Sequence, residues 1–185
     1  MKESFRDLNE QGLSGRVRLW VEDEASFGRI NKPKRCWCPK GVRPAVFCQH
    51  IRQYCQCFGA VDPLDGEKFF RIFEKCNSDS MEIYLEQLSE AYPNDFHVML
   101  CDCAGWHVSE DLTIPENVAI FNIPPGTPEM NPMEQIWREL RTRGFHNKMF
   151  DSLDDAIEQL CKVIRELTRE SVMSITGRQW LLQCL

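Results

Sequence analysis

No stretch of this chain approaches the ~18 consecutive apolar residues that cross a bilayer, and its first residues, MKESFRDLNEQ, are too polar for a secretory leader. A membrane-spanning or secreted protein is therefore not expected, and the expected location is the cytoplasm. No C-x-x-C occurs among the ten cysteines; three pairs are C-x-C instead: Cys36/Cys38, Cys55/Cys57 and Cys101/Cys103. Zinc sites use ligand spacings of about two to four residues with a second pair to match, and without a leader a disulfide framework is not expected either. In a strand, C-x-C turns both thiols to one face, so these cysteines read as reduced, small buried hydrophobes. No internal repeat is visible. Positive charge is also short: 22 Lys and Arg stand against 28 Asp and Glu, a net charge of −6, which taken alone argues against a nucleic-acid partner.

What is present is enough for one ordinary domain. The chain has 185 residues, 43% of them hydrophobic and 27% charged, the balance of a globular protein with a proper core. Residues 1–15 are polar and aperiodic and read as a tail; residues 16–185 carry the pattern. In RVRLWVEDE, Val17, Leu19 and Val21 share one face and Arg18, Trp20 and Glu22 the other. That alternation predicts a strand over Arg16–Glu24 ending in three acids, with Asp23 on the odd-numbered face at its C-terminal end. Residues 25–49 read as an irregular basic segment with Arg29, Lys32, Lys34, Arg35, Lys40 and Arg43, and with Trp37 between two cysteines. Gln53–Val61 and Lys68–Phe73 flank the turn DPLDGE and predict a hairpin. Met81, Tyr84, Leu85 and Leu88 predict an amphipathic helix within 78–92, starting near Asp79 or Ser80. The mostly apolar run FHVMLCDC predicts a buried strand with Asp102 at its end, and Val118–Ile123 a further short strand.

Ile123–Leu140, IPPGTPEMNPMEQIWREL, is the stretch on which the rest converges. Its prolines and glycine stop any regular element. Asn131 suits an N-cap and Pro132 a first helical position. Met133, Ile136, Trp137 and Leu140 then form one apolar stripe. Glu134 lies off that stripe in the first turn, with Arg138 and Arg141 roughly above it. By itself Glu134 reads as the glutamate of an N-x-x-E capping box at the positive end of the helix. A last long helix is predicted over Ser152–Leu167, with Gly177 closing the helical region. The order of periods suggests an α/β fold: Arg16–Asp23, Gln53–Val61 and Lys68–Phe73 as an antiparallel trio, His97–Asp102 parallel to the first, and helices packed on this mixed sheet.

Asp23, Asp102 and Glu134 each fall where an element meets a loop, and acids beyond strand ends can meet in one cleft. Gathered carboxylates repel until cations neutralise them, and an all-oxygen set suits Mg²⁺ or Mn²⁺. Two such ions about 4 Å apart can drive phosphodiester cleavage. The other reading is three unrelated surface acids.

The blocks VEDEASF, MLCDCAGWH and IPPGTPEMNPMEQIWREL resemble the three signature blocks of DDE transposases, and more narrowly the bacterial insertion-sequence branch of the mariner superfamily. The last block is the most specific. The resemblance spans roughly residues 16–168 and implies a ribonuclease H-like catalytic domain. It implies that Asp23, Asp102 and Glu134 are the catalytic metal ligands for two Mg²⁺ or Mn²⁺ ions, with Glu22 and Glu24 as runners-up for the place of Asp23. His107 and Asn131 would lie near the site, His107 with packing or hydrogen bonding as its other reading. The implied activity is metal-dependent strand cleavage and strand transfer in DNA transposition. DNA, both element ends and target, is the implied partner, bound through Arg29, Lys32, Lys34, Arg35, Trp37, Lys40, Arg138 and Arg141. A homodimer or larger synaptic complex on the bacterial nucleoid is implied as well. The family's N-terminal helix-turn-helix modules have no counterpart in residues 1–15, so a separate N-terminal DNA-binding chain is a further expected partner. A ribonuclease H-like nuclease that does not transpose, and a degenerate or co-opted binding domain, are the alternatives.

Overall fold

The computed structural model describes residues 15–30, 33–34, 37–45, 47–102, 112–124 and 130–177. The expectations for residues 1–14, Lys32, Arg35, Cys36, Cys103 and His107 lie outside the described residues. Five strands form one sheet: β1 (Val17–Ile30), β2 (His50–Val61), β3 (Lys68–Phe73), β4 (Phe96–Cys101) and β5 (Val118–Asn122). The described helices are α1 (Ser78–Ala91), α2 (Met133–Gly144), α3 (Leu153–Glu166) and α4 (Arg169–Thr176). Strand order is β3-β2-β1-β4-β5. β1, β2 and β3 are antiparallel neighbours, and β4 and β5 run parallel to β1. This is the ribonuclease H-like mixed sheet.

Alternation along β1 sorts the core into two layers. Leu19, Val21, Ala25 and Phe27 pack with Cys55 and Cys57 of β2 against the α2–α4 side. Trp20 packs with Phe58, Met99 and Cys101 against Met81, Tyr84, Leu85 and Leu88 of α1. The α2 stripe of Met133, Ile136, Trp137 and Leu140 is buried throughout, as its spacing requires. On the α1 side, Trp20 Nε1 donates to His97 Nδ1 at 2.9 Å, and His97 Nε2 meets the Tyr92 carbonyl at 3.2 Å, which sets the Nε2–H tautomer. Burial holds that imidazole's pKa below its ordinary value.

Several boundaries differ from the expectation. β1 does not stop at its three acids but runs on to Ile30, so Asp23 stands mid-strand and Ala25–Ile30 is not irregular. The cause is β2, which pairs with β1 from Val21↔Val61 through Gly28↔Tyr54 and so carries the strand past its acids. In the DPLDGE turn, Gly66 adopts φ +74, a conformation that favours glycine. The N-cap of α1 is Asn77, whose side chain accepts from Ser80 N, two or three residues before the expected start near Asp79 or Ser80. The expected helix over Ser152–Leu167 forms as α3, opened by a Ser152/Asp155 capping box and closed where Leu167 turns extended, and a further short helix, α4, follows to its C-cap Gly177.

The cysteines sort by face as expected for Cys55 and Cys57, which are free and buried, as is Cys101, whereas Cys38 and Cys48 are free and exposed. Burial also pushes the thiol pKa of Cys57 and Cys101 well up, which suppresses the reactive thiolate. With a thiol-disulfide reagent on the native protein, Cys38 and Cys48 should be modified within minutes. Cys55, Cys57 and Cys101 should react only on unfolding, as peptide mapping by mass spectrometry would report. Rapid native labelling of Cys57 would contradict this packing.

Candidate active site

β4 pairs with β1 only from Val17↔Phe96 to Val21↔Leu100 and ends at Cys101, so its next residue, Asp102, lies at the mouth of the β1/β4 groove. Asp23 and Asp102 both lie two positions beyond the Val21↔Leu100 pair, on adjacent parallel strands. The Asp23 side chain follows the alternation of Val21 toward the α2 side of the sheet, where it meets Trp137. Asp23 is half-buried and Asp102 is exposed.

Glu134 reaches the same region from the first turn of α2 and is exposed. The N-cap of that helix is Pro132 and makes no side-chain capping bond, so the expected N-cap at Asn131 shifts by one residue and no capping box forms there. Asn131 has another task. Its Nδ2 donates to the Glu22 carbonyl at 3.0 Å and its Oδ1 accepts from Met133 N at 2.9 Å. It is a buried cross-link between the middle of β1 and the start of α2, which fixes the height of Glu134 over Asp23.

Trp137, one turn further along α2, donates from Nε1 to Asp23 Oδ2 at 2.8 Å. The sequence presents Trp137 only as one more residue of the apolar stripe. Its ring can lie there because Gly59, directly across β2 from Asp23, has no side chain. A Cβ at that glycine would meet Trp137 Cη2 at 2.6 Å and Phe70 Cε1 at 2.5 Å. A glycine inside a strand is a usable sign of close approach, and this one marks the place.

Burial pushes the Asp23 carboxyl up from its ordinary value of 3.8 to about 7, with the charges of Glu24 and Glu134 acting in the same direction. The Trp137 N–H and the Glu24 backbone N–H oppose that rise. Glu22, by contrast, is fully buried on the α1 side beside Cys101, with its pKa raised well above the ordinary value, chiefly by burial. It is the weaker candidate for the role of Asp23.

The oxygen-only donor set of Asp23, Asp102 and Glu134 fits a hard divalent cation, and the crowding of acid around Asp23 is what such an ion would relieve. Among the described residues, no group of three or more His, Cys, Asp and Glu stands at metal-holding spacing. A cavity of about 310 Å³ lies elsewhere, lined by Phe27, Gly28, Tyr54, Arg141 and Phe145 among others, and by none of the three acids.

The basic residues divide. Lys34, Lys40, Arg138 and the wholly exposed Trp37 face solvent. Arg29 is engaged by the Phe150 carbonyl at 3.0 Å and Gln53 Oε1 at 2.7 Å, and Arg141 lies over the Phe27 ring at 5.0 Å. Those two serve the fold first.

A model of the family described as DDE superfamily endonuclease matches residues 18–157. An uncharacterized protein of Sinorhizobium fredii is 32% identical over 126 residues, covering 66% of this chain and 93% of that protein. Among solved structures, the Mos1 strand transfer complex superposes with a TM-score of 0.70 at 15% identity, over 95% of this chain and 55% of the Mos1 chain. The Mos1 mariner paired-end complex with Mn gives the same TM-score over 95% of this chain and 56% of that one. A simian T-cell lymphotropic virus intasome matches at a TM-score of 0.50 and 12% identity, over 89% of this chain and 48% of that one. The chain thus spans little more than half the length of the Mos1 chains it matches.

The raised Asp23 pKa has a consequence for stability. Between 3.8 and about 7 the folded chain keeps a proton that the unfolded chain has released. In EDTA, the stability owed to this group should be full below pH ~4 and lost as pH rises through about 7. The total is on the order of 4 kcal/mol at most. Asp23→Asn should flatten stability against pH in urea unfolding and exceed the wild type at pH 8. An unchanged slope would mean that Asp23 titrates as an ordinary carboxylate.

Proposed function

Because this chain belongs to the DDE superfamily of endonucleases, we propose that it is a transposase catalytic domain. It cleaves DNA strands and joins the resulting ends to target DNA, by phosphoryl transfer that depends on divalent metal. The observation that supports this reading is that Glu134, in the first turn of α2, lies close enough to Asp23 for its charge to raise the Asp23 carboxyl, while Asp102 follows directly on β4, the parallel neighbour of β1. The neighbouring solved structures that contain Mos1 with Mn and with Mg support the choice of ion.

Asp23, Asp102 and Glu134 would hold two Mg²⁺ or Mn²⁺ ions. When bound, these supply Lewis acidity at the attacking and leaving oxygens of an in-line displacement. The chain's own contribution is placement. Asn131 keeps the first turn of α2 fixed to β1, so Glu134 cannot slide along the strand that carries Asp23. Exposed Lys34, Lys40 and Arg138 supply phosphate contacts, which give affinity without reading sequence. Two copies, each on one DNA end, would make the synaptic unit, acting in the cytoplasm where the DNA is.

Supercoiled plasmid should be nicked in Mg²⁺ or Mn²⁺ and left intact in EDTA. Asp23→Ala, Asp102→Ala and Glu134→Ala should each lower the rate at least ~1000-fold, on the scale of losing an electrostatic catalytic group, with circular dichroism unchanged. Full activity in Asp102→Ala would sink the mechanism. Joining of a labelled oligonucleotide to the plasmid identifies the strand transferase; nicking without joining identifies a plain ribonuclease H-like nuclease.

Binding to labelled duplexes should be weak, indifferent to sequence and steeply salt-dependent. Replacing Lys34, Lys40 and Arg138 together by alanine should flatten the slope of log K against log salt by about 3. Tight, salt-insensitive binding to one sequence would contradict this placement of the DNA.

A further inference from the structure

We infer that Trp137 is a positioning residue, whose indole N–H holds the Asp23 carboxylate in the orientation that receives a divalent cation. The inference rests on the metal reading of Asp23 given above. The bond itself is short and direct, Nε1 to Oδ2 at 2.8 Å. More telling is how little freedom the donor has. The Trp137 ring is 1% exposed. Phe27 packs edge-on at 5.9 Å and 63°, and Phe70 at 5.8 Å and 82°. Below it, Gly59 leaves room for the far edge of the indole and for nothing more, since a Cβ there would come within 2.6 Å of Cη2. Three walls fix the ring, and the ring fixes one carboxylate oxygen.

The choice of side chain is informative as well. An indole N–H donates only and carries no charge. A lysine or arginine at this position would orient the carboxylate but would place a positive charge where a cation must come. A tyrosine or serine hydroxyl could turn and accept instead of donating. Tryptophan alone combines a fixed neutral donor with enough apolar surface to be locked by its neighbours. A purely structural account exists: a buried indole needs an acceptor, and Asp23 happens to provide one. The two accounts differ in what metal binding does when the N–H is removed.

Trp137→Phe keeps a ring between Phe27 and Phe70 and deletes the donor. Leu85→Ala, at a fully buried position of α1, loosens the core on the opposite face of the sheet and leaves Trp137 and its walls untouched. Mn²⁺ binding by each full-length chain without DNA would be read from the electron paramagnetic resonance signal of free Mn²⁺, alongside melting temperature. Trp137→Phe should weaken Mn²⁺ binding about 10- to 100-fold, the usual scale for losing a group that orients a metal ligand. Leu85→Ala should lower the melting temperature and leave Mn²⁺ affinity within twofold of the wild type. Unchanged affinity in Trp137→Phe, or an equal loss in both variants, overturns the inference. Wild-type protein that takes up no Mn²⁺ overturns the metal reading and this inference together, whereas wild-type uptake matched by Trp137→Phe overturns this inference alone. Should Trp137→Phe fail to fold, the wild type labelled with ¹⁵N at its five indoles decides. Mg²⁺ should shift the Trp137 N–H resonance, assigned through its change in Asp23→Asn. A titration that moves none of the five overturns the inference.

Discussion

β1 has fourteen residues but a parallel neighbour along only its first part, and the site depends on that mismatch. From Val17 to Val21 the strand pairs with β4, and at Val21 its pairing with β2 begins. From Glu22 on, β4 has given out while β2 continues. At that step a polar side chain can leave the core without the strand losing its hydrogen-bonded support, and Asp23 is the first residue placed to use it on the α2 side. The backbone at the step is not left bare, because Asn131 donates to the Glu22 carbonyl and passes its own acceptor to the first N–H of α2. A buried amide that satisfies two backbone groups at once is hard to replace, which ties the helix to one position on the strand.

The acids around that step are sorted by the pleat. Glu22 and Asp23 are adjacent in sequence, yet one is sealed against α1 and the other opens toward α2. Desolvation raises both, but with different outcomes. Glu22, fully buried beside the Cys101 thiol, is pushed well above its ordinary value, chiefly by burial. Asp23 sits near the balance point, at about 7, where an approaching positive charge can pull the proton off. The same two-residue period that makes a strand amphipathic thus decides which of two neighbouring carboxylates is available.

Much of this could be read from the chain, and what could not has identifiable causes. The strands, their pairing and the buried stripe of α2 follow from periodicity, which burial enforces strongly. The length of β1 does not, since ASFGRI alternates poorly and is held in the sheet by β2 rather than by its own pattern. Asn131 was legible as a polar residue at a helix start, but a cap and a cross-link to a distant strand are identical in sequence. Trp137 was hidden by its own stripe: spacing assigns the ring to the core and says nothing of the N–H. Gly59 gave a signal that could have been used, because glycine inside a run as apolar as CFGAV needs a reason. Arg29 and Arg141 have contacts within the fold that their sequence positions do not reveal. Their charge suggested a phosphate contact, while the fold spends them on a carbonyl and an aromatic ring.

The net charge of −6 is the feature least like a protein that handles DNA, and its distribution resolves the tension. Asp23, Glu24 and Glu134 lie close enough to act on one another electrostatically, so negative charge is gathered about the residues proposed to hold divalent ions. Two such ions bring four positive charges, and electrostatic reasoning about a metal site that omits the ion's own charge has the wrong sign. Away from that step, Lys34, Lys40 and Arg138 are exposed and free of the ion pairs that occupy Arg16, Arg18 and Arg169 at the other end of the sheet. On the proposed reading, acid gathered at the site and base spread beyond it would repel DNA from the empty site and admit it once divalent ions are bound.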